Sequence, residues 1–212
     1  MGMITSVLAG IPLTLAVTVV ALLIGTVGSV PLLFGILSKN RVLWLLSRAI
    51  IDLCRGIPIV VWMFILYYGV TFGGAKLSAF GAAVLGLGIV SAAYLAEIFR
   101  GAVSSVSAGQ FEAGRALGMT SPGLWRDIIG PQAWRVAIPG YTTYGIGLLK
   151  DSSIASTIGV AEMVFRSNSY ARTTGEGITV FFIAAAVYII VSVPIGILSR
   201  QADEKLSAAV AR

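Results

Sequence analysis

Residues able to do polar chemistry are few in this sequence, and where they stand limits what that chemistry can be. The 212 residues include no histidine and one cysteine, Cys54, which excludes His-based catalysis, an ordinary zinc site and an intrachain disulfide framework. Cys54 reads as a packing residue. No Gly-x-x-x-x-Gly-Lys-Ser/Thr loop occurs, so the chain lacks the phosphate cradle with which to power itself. Four ionisable residues sit in or beside long apolar runs: Glu97 and Arg100, three apart, and the adjacent Lys150 and Asp151. Charge at membrane depth is costly unless it faces protein or water. Glu97 and Arg100 can meet on one helix face, as an interfacial ion pair or as groups that touch a substrate. Lys150 and Asp151 point about 100° apart on a helix and so seek partners elsewhere, either bracing that helix or lining a translocation path. A zwitterionic substrate needs one group of each sign, and Glu97 or Asp151 offers a carboxylate to its ammonium.

A second constellation lies between Arg100 and Arg135, too polar to be embedded. Gln110–Leu117 has helix-forming character, with Phe111, Gly114, Leu117 and Gly118 near one another at i, i+3 and i+4 spacing. Gly118 is placed to end that helix in the left-handed conformation. Ser121 as N-cap and Pro122 at the first helical position restart a helix, which returns to the membrane near Pro131. Such a hairpin, a small apolar knob with charged flanks, suits docking into a groove on a soluble partner.

These groups need elements to hold them, and composition says which kind. With 57% hydrophobic and 11% charged residues and a mean hydropathy of +0.94, the chain belongs in a bilayer. Met1–Ser38, Gly56–Ala75, Leu77–Ala96 and Gly177–Ser199 contain no Asp, Glu, Lys or Arg. Each reaches the ~20 residues that cross ~30 Å of hydrocarbon. The first run lacks the basic leader and small-residue cleavage site of a secretory signal and is read as a retained span within Ile11–Leu37. Val136–Ala161 is apolar apart from Lys150 and Asp151. Spanning or not, it leaves 11 basic residues inside and 4 outside; its length favours spanning, which predicts five spans. Lys39, Arg41, Arg48 and Arg55 after the first run, and Arg100, Arg115, Arg126 and Arg135 after the third, place those connections in the cytoplasm and the N-terminus outside. The net charge of +6 is dispersed between spans, which reads as topology rather than nucleic-acid binding. Trp44, Trp62, Tyr67 and Tyr68 read as interfacial anchors or core packing.

Glu112-Ala113-Gly114, Gly118, Ile128 and Pro131 resemble the EAA loop of ABC importer permeases: Glu-Ala-Ala, Gly six residues after the Glu, then Ile and Pro at sixteen and nineteen. Two departures are Gly114 for the third small residue and Gly130 for the usual Leu before the Pro. Arg55-Gly56-Ile57-Pro58, Tyr94–Gly101 followed by Gly109-Gln110, and Leu149–Ile154 are similar to the polar-amino-acid branch of that family, in order over roughly residues 10–205. The resemblance implies an all-α integral membrane protein with the type I importer permease fold: five transmembrane helices and a cytoplasmic coupling helix. It implies a domain over residues 10–203, an extracytoplasmic N-terminus at 1–9 and a cytoplasmic tail at 204–212, in a bacterial inner membrane. Implied partners are a cytoplasmic ATPase dimer carrying the ATP and Mg, a second permease subunit and an extracytoplasmic solute-binding protein. The chain itself would bind no cofactor. Glu112, Ala113, Gly114, Leu117, Gly118 and Met119 would seat in the ATPase; Glu97, Arg100, Lys150 and Asp151 would line the substrate path. Glu162, Arg166, Arg172 and Glu176 lie in an external connection, read as a solvated loop or as a docking surface for the binding protein.

The implied function is ATP-driven import of a polar amino acid, with opines or compatible solutes such as ectoine as alternatives. A secondary carrier would want inverted repeats, and an intramembrane enzyme would be left with Ser-Lys or paired-carboxylate schemes. A purely structural scaffold would leave the hairpin unexplained.

Overall fold

The computed structural model describes residues 2–72 and 75–208. Helix α1 (Met3–Leu8) breaks at Ala9-Gly10 and resumes as α2 (Ile11–Ile36). Together they form one of three helical stretches long and apolar enough to cross a membrane, beside Ala79–Ser104 and Gly177–Ile197. The hydroxyls of Thr14, Thr18, Thr26 and Ser29 donate back to carbonyls of their own helix at 2.7–3.1 Å, satisfying groups that lipid would leave unpaired.

The stretch expected as a second span differs. Helices α3 (Arg41–Gly56) and α4 (Ile59–Gly69) meet at 95°. Pro58 forces the residue before it out of helical geometry, and Ile57 is extended at φ −93°, ψ 129°. Past Gly56, which ends α3, α4 is the one helix among the described residues of the run Gly56–Ala75, and its 11 residues rise about 16 Å, half the hydrocarbon thickness. A two-residue antiparallel pair, β1 (Thr71–Phe72) with β2 (Ala75–Lys76), follows it.

Helix α5 (Ala79–Ser104), capped by Ser78, is the central element, with a small-residue surface buried against α2, α3, α4 and α8. At Gly25 of α2 an added Cβ would overlap the Ser91 side chain of α5, so the two backbones meet without side chains between them. After the polar hairpin, α8 (Gly130–Asp151) runs 22 residues, about 33 Å, long enough to cross. It tightens into a 3-10 segment, Ser152–Ile158, that stops at left-handed Gly159. The four hydroxyls of that segment each donate to a carbonyl three residues back at 2.7 Å.

The connection read as external is not a loop but helix α9 (Met163–Thr174), and Glu162 is its N-cap. Fully buried, Glu162 accepts from the backbone N–H of Val164 (2.9 Å) and Phe165 (2.7 Å) and from the Tyr188 hydroxyl (3.1 Å). Tyr188 belongs to α10 (Gly177–Ala208), and Thr14 Oγ1 accepts from Met163 N at 3.2 Å. One carboxylate and one hydroxyl thus tie α9 to the last and first long helices. Glu162→Ala orphans three donors, each costing about 1–3 kcal/mol when buried. Thermal unfolding of the detergent-purified protein should fall by several degrees, and less for Glu162→Gln, which keeps an acceptor. Of the residues read as a tail, 204–208 continue α10, whereas 209–212 lie outside the described residues.

Candidate functional site

The hairpin between α5 and α8 folds largely as its residue types dictate. Helix α6 (Ala108–Ala116) starts at Ser107, whose Oγ accepts from Gly109 N at 3.3 Å. It stops at Gly118, the left-handed residue at φ 72°. Met119 N donates to Gly114 O (3.1 Å) and Gly118 N to Arg115 O (3.0 Å), the paired bonds of a Schellman motif. The restart is capped by Thr120, one residue earlier than Ser121: Thr120 Oγ1 accepts from Gly123 N at 3.3 Å, and Ser121-Pro122 open the short α7 (Ser121–Leu124). Glu112, Ala113, Leu117 and Gly118 are exposed, Met119 is half-buried and Gly114 is buried. Leu117 stands 79% exposed, an apolar side chain uncovered by any of the described residues.

Gly114 is the position where the small-residue pattern departs from alanine. A Cβ there would collide with Leu124 Cδ1, and Leu124 is part of the apolar cluster with Val103, Val106 and Ile129 that seats the hairpin on the bundle. Gly130, the other departure, also has a structural partner. Residues Trp125–Ile129 form a π-helical turn, and a Cβ on Gly130 would stand 2.6 Å from the Trp125 carbonyl oxygen. The widened turn makes room for Pro131, whose ring and missing N–H an ordinary α-helical turn resists. On its outer flank Arg126 Nε donates to Asp127 Oδ1 at 2.7 Å, and that bond holds the Asp127 carboxyl below its usual range.

The membrane-side charges fall into two groups. Glu97 and Arg100 do meet at i, i+3, with Arg100 Nε donating at 2.7 Å, and Arg48 Nη1 of α3 donates to the other Glu97 oxygen at 2.7 Å. Both carboxylate oxygens are therefore occupied, and the Glu97 side chain is 16% exposed. Arg48 also pairs with Asp52 at 3.0 Å. Sequence reading missed Arg48 as a partner because it comes 49 residues away along the chain. Next along α5, Tyr94 stacks on Tyr144 of α8 with ring centroids 5.6 Å apart, the Arg55 guanidinium lies 4.8 Å over the Tyr94 ring, and Tyr144 OH donates to the buried Ser91 Oγ at 2.9 Å. Asp151 stands seven residues beyond Tyr144, on the same face of α8, and is half-buried; Lys150 is exposed. Neither has an ion-pair partner among the described residues. An aromatic and polar strip along α5 and α8 thus separates the Glu97 cluster from Asp151. Arg55, Tyr94 and Tyr144 enter it as contributors that spacing alone did not reveal.

Residues 26–208 match the family of binding-protein-dependent transport system inner membrane components. The chain belongs to that family. This permease is 37% identical over 207 residues to the probable amino-acid permease protein YxeN of Bacillus subtilis (strain 168), covering 95% of this chain and 92% of that one. It is 37% identical over 195 residues to the nopaline transport system permease protein NocM of Agrobacterium fabrum, covering 87% and 81%. A solved amino acid ABC transporter with histidines superposes at a TM-score of 0.86 and 30% identity, over 95% of the permease and 94% of that chain. The permease has the type I ABC importer permease fold, is a transport component rather than an enzyme, and is an inner-membrane protein of a class that works with ATPase and substrate-binding partners.

Proposed function

We propose that this permease carries a polar amino acid across the cytoplasmic membrane, driven by ATP that a separate ATPase dimer hydrolyses with its Mg. The observation that carries the coupling is the hairpin's division of labour: Gly114 is buried on the bundle while Glu112, Ala113, Leu117 and Gly118 face water around a fixed left-handed turn. A rigid knob exposed in this way suits a cleft in a moving partner, with Met119 at its base. Five crossings follow if the bent pair α3–α4 carries the chain across, with α3 at the inner surface and α4 in the bilayer, and α8 makes another, with the N-terminus and α9 outside and the hairpin and tail inside. A second permease subunit and an extracytoplasmic binding protein complete the assembly, which is where most substrate choice resides. Within this chain the strip from Glu97 and Arg100 past Tyr94 and Tyr144 to Lys150 and Asp151 forms half of the path. Because Glu97 is already doubly paired, Asp151 is the carboxylate available to a substrate ammonium.

The nopaline permease among the relatives keeps one other reading in view, an opine, which adds a carboxylate to the amino-acid zwitterion. Vesicles containing permease, ATPase and binding protein should accumulate radiolabelled amino acid only with ATP inside, and a crosslinker at Glu112→Cys should capture the ATPase. Uptake without the ATPase would make the chain a secondary carrier. Accumulation of nopaline but of no amino acid would select the opine reading.

A further inference from the structure

Helix α3 is not shaped like a membrane span. At about 100° per residue, Arg41, Arg48 and Arg55 recur every seven positions and fall on one edge together with Asp52. Ile51 and Cys54, about a quarter-turn round the helix from that edge, are buried against Ile36 of α2 and Ala93 and Ala96 of α5. A further quarter-turn on, opposite the arginines, Val42, Leu43, Leu46, Ile50 and Leu53 are 46–62% exposed. The helix therefore has a charged edge, an apolar edge facing away from it, and the bundle between them. That is the arrangement of a helix lying in the plane of a membrane surface, charged edge to water and apolar edge in the acyl chains. The 95° bend into α4 lets α4 enter the bilayer while α3 stays flat.

Among the described residues, the basic groups on this edge and just before the helix outnumber their carboxylate partners. Arg48 is engaged by Asp52 and Glu97, but Lys39, Arg41 and Arg55 have no carboxylate partner among the described residues. Lys39 and Arg41 are exposed at the start of the helix. Charge complementarity thus names the occupant, and we propose that α3 is an in-plane binding surface for anionic phospholipid headgroups of the cytoplasmic leaflet, centred on Lys39 and Arg41. The inference rests on the topology proposed above only for the choice of leaflet.

Vesicles with the same lipids in both leaflets make the test independent of that topology. A bimane label on Leu46→Cys, in a Cys54→Ala chain assembled with its ATPase, reports quenching by phosphatidylglycerol or phosphatidylcholine carrying a nitroxide on the acyl chain, at equal mole fraction. Both lipids should quench, phosphatidylglycerol about twofold more strongly or better. Replacing Lys39→Gln and Arg41→Gln should bring the ratio to one and leave phosphatidylcholine quenching intact. Equal quenching by the two lipids with the basic residues in place overturns the headgroup preference. No quenching by either overturns the surface itself and shows the apolar edge covered by another subunit.

Discussion

Replacing Gly118 by tryptophan is expected to leave the chain inserted and folded while cutting ATP-driven uptake by about tenfold or more, the loss of roughly 1.4 kcal/mol of productive contact. Two costs meet at this residue and can be separated. Its backbone is left-handed at φ 72°, which costs an L side chain roughly 1–2 kcal/mol. Among the described residues nothing lies within 4 Å of where a Cβ would stand, so a large side chain points into open space, where the proposed coupling puts the ATPase. Asparagine tolerates the left-handed conformation and is small. Gly118→Asn should therefore keep most uptake, whereas Gly118→Trp should lose it although the ATPase still hydrolyses ATP. Equal loss in both variants would place the effect in the turn and not in the docking. Full uptake by Gly118→Trp would remove the coupling role.

Gly10→Ala should be strongly damaging for a single added methyl. A Cβ at Gly10 would lie 2.5 Å from both Met163 N and Met163 Cα and 2.7 Å from Glu162 C. Those are backbone atoms, which cannot rotate away as a side-chain end can. The clash falls on the hydrogen bond from Met163 N to Thr14 and on the Glu162 cap, so the first helix and α9 must separate. A loss of about 3 kcal/mol or more, at the upper end of single substitutions, should appear as a large fall in thermal stability and in yield. Gly101→Ala, where nothing lies within 4 Å, is the control and should be nearly silent. A Gly10→Ala protein as stable as that control would contradict the close approach.

The large features were legible because membranes allow few solutions: uncharged runs of sufficient length must be helices, and residues 11–36 behave as expected. The hairpin was legible from glycine, proline and capping residues, apart from the one-residue shift of the cap to Thr120. What could not be read depends on contacts between distant residues. Gly56–Ala75 is long enough to span, yet Pro58 bends the chain, and the amphipathic helix before it could be judged only once its buried side was known. Arg48 reaches Glu97 across two helices, and a buried Glu162 cannot be told from a solvated one by its neighbours in sequence. Gly130 looked like a weakened match and turns out to accompany a widened turn.

That widened turn has a mechanical corollary. Trp125–Ile129 joins α7 to α8 without an intervening loop, so α7, on which the knob rests through Gly114 and Leu124, runs straight on into the helix carrying Tyr144 and Asp151. A tilt of about 5° imposed at the knob would carry the far end of a rod of about 33 Å through about 3 Å, the width of a single water molecule. Pro139, part-way along, has no N–H to bond back to the carbonyl of Arg135, so it marks the point where that rod can bend. A tilt small enough to leave the packing around Leu124 in place is thus magnified at the end of α8 that carries Asp151.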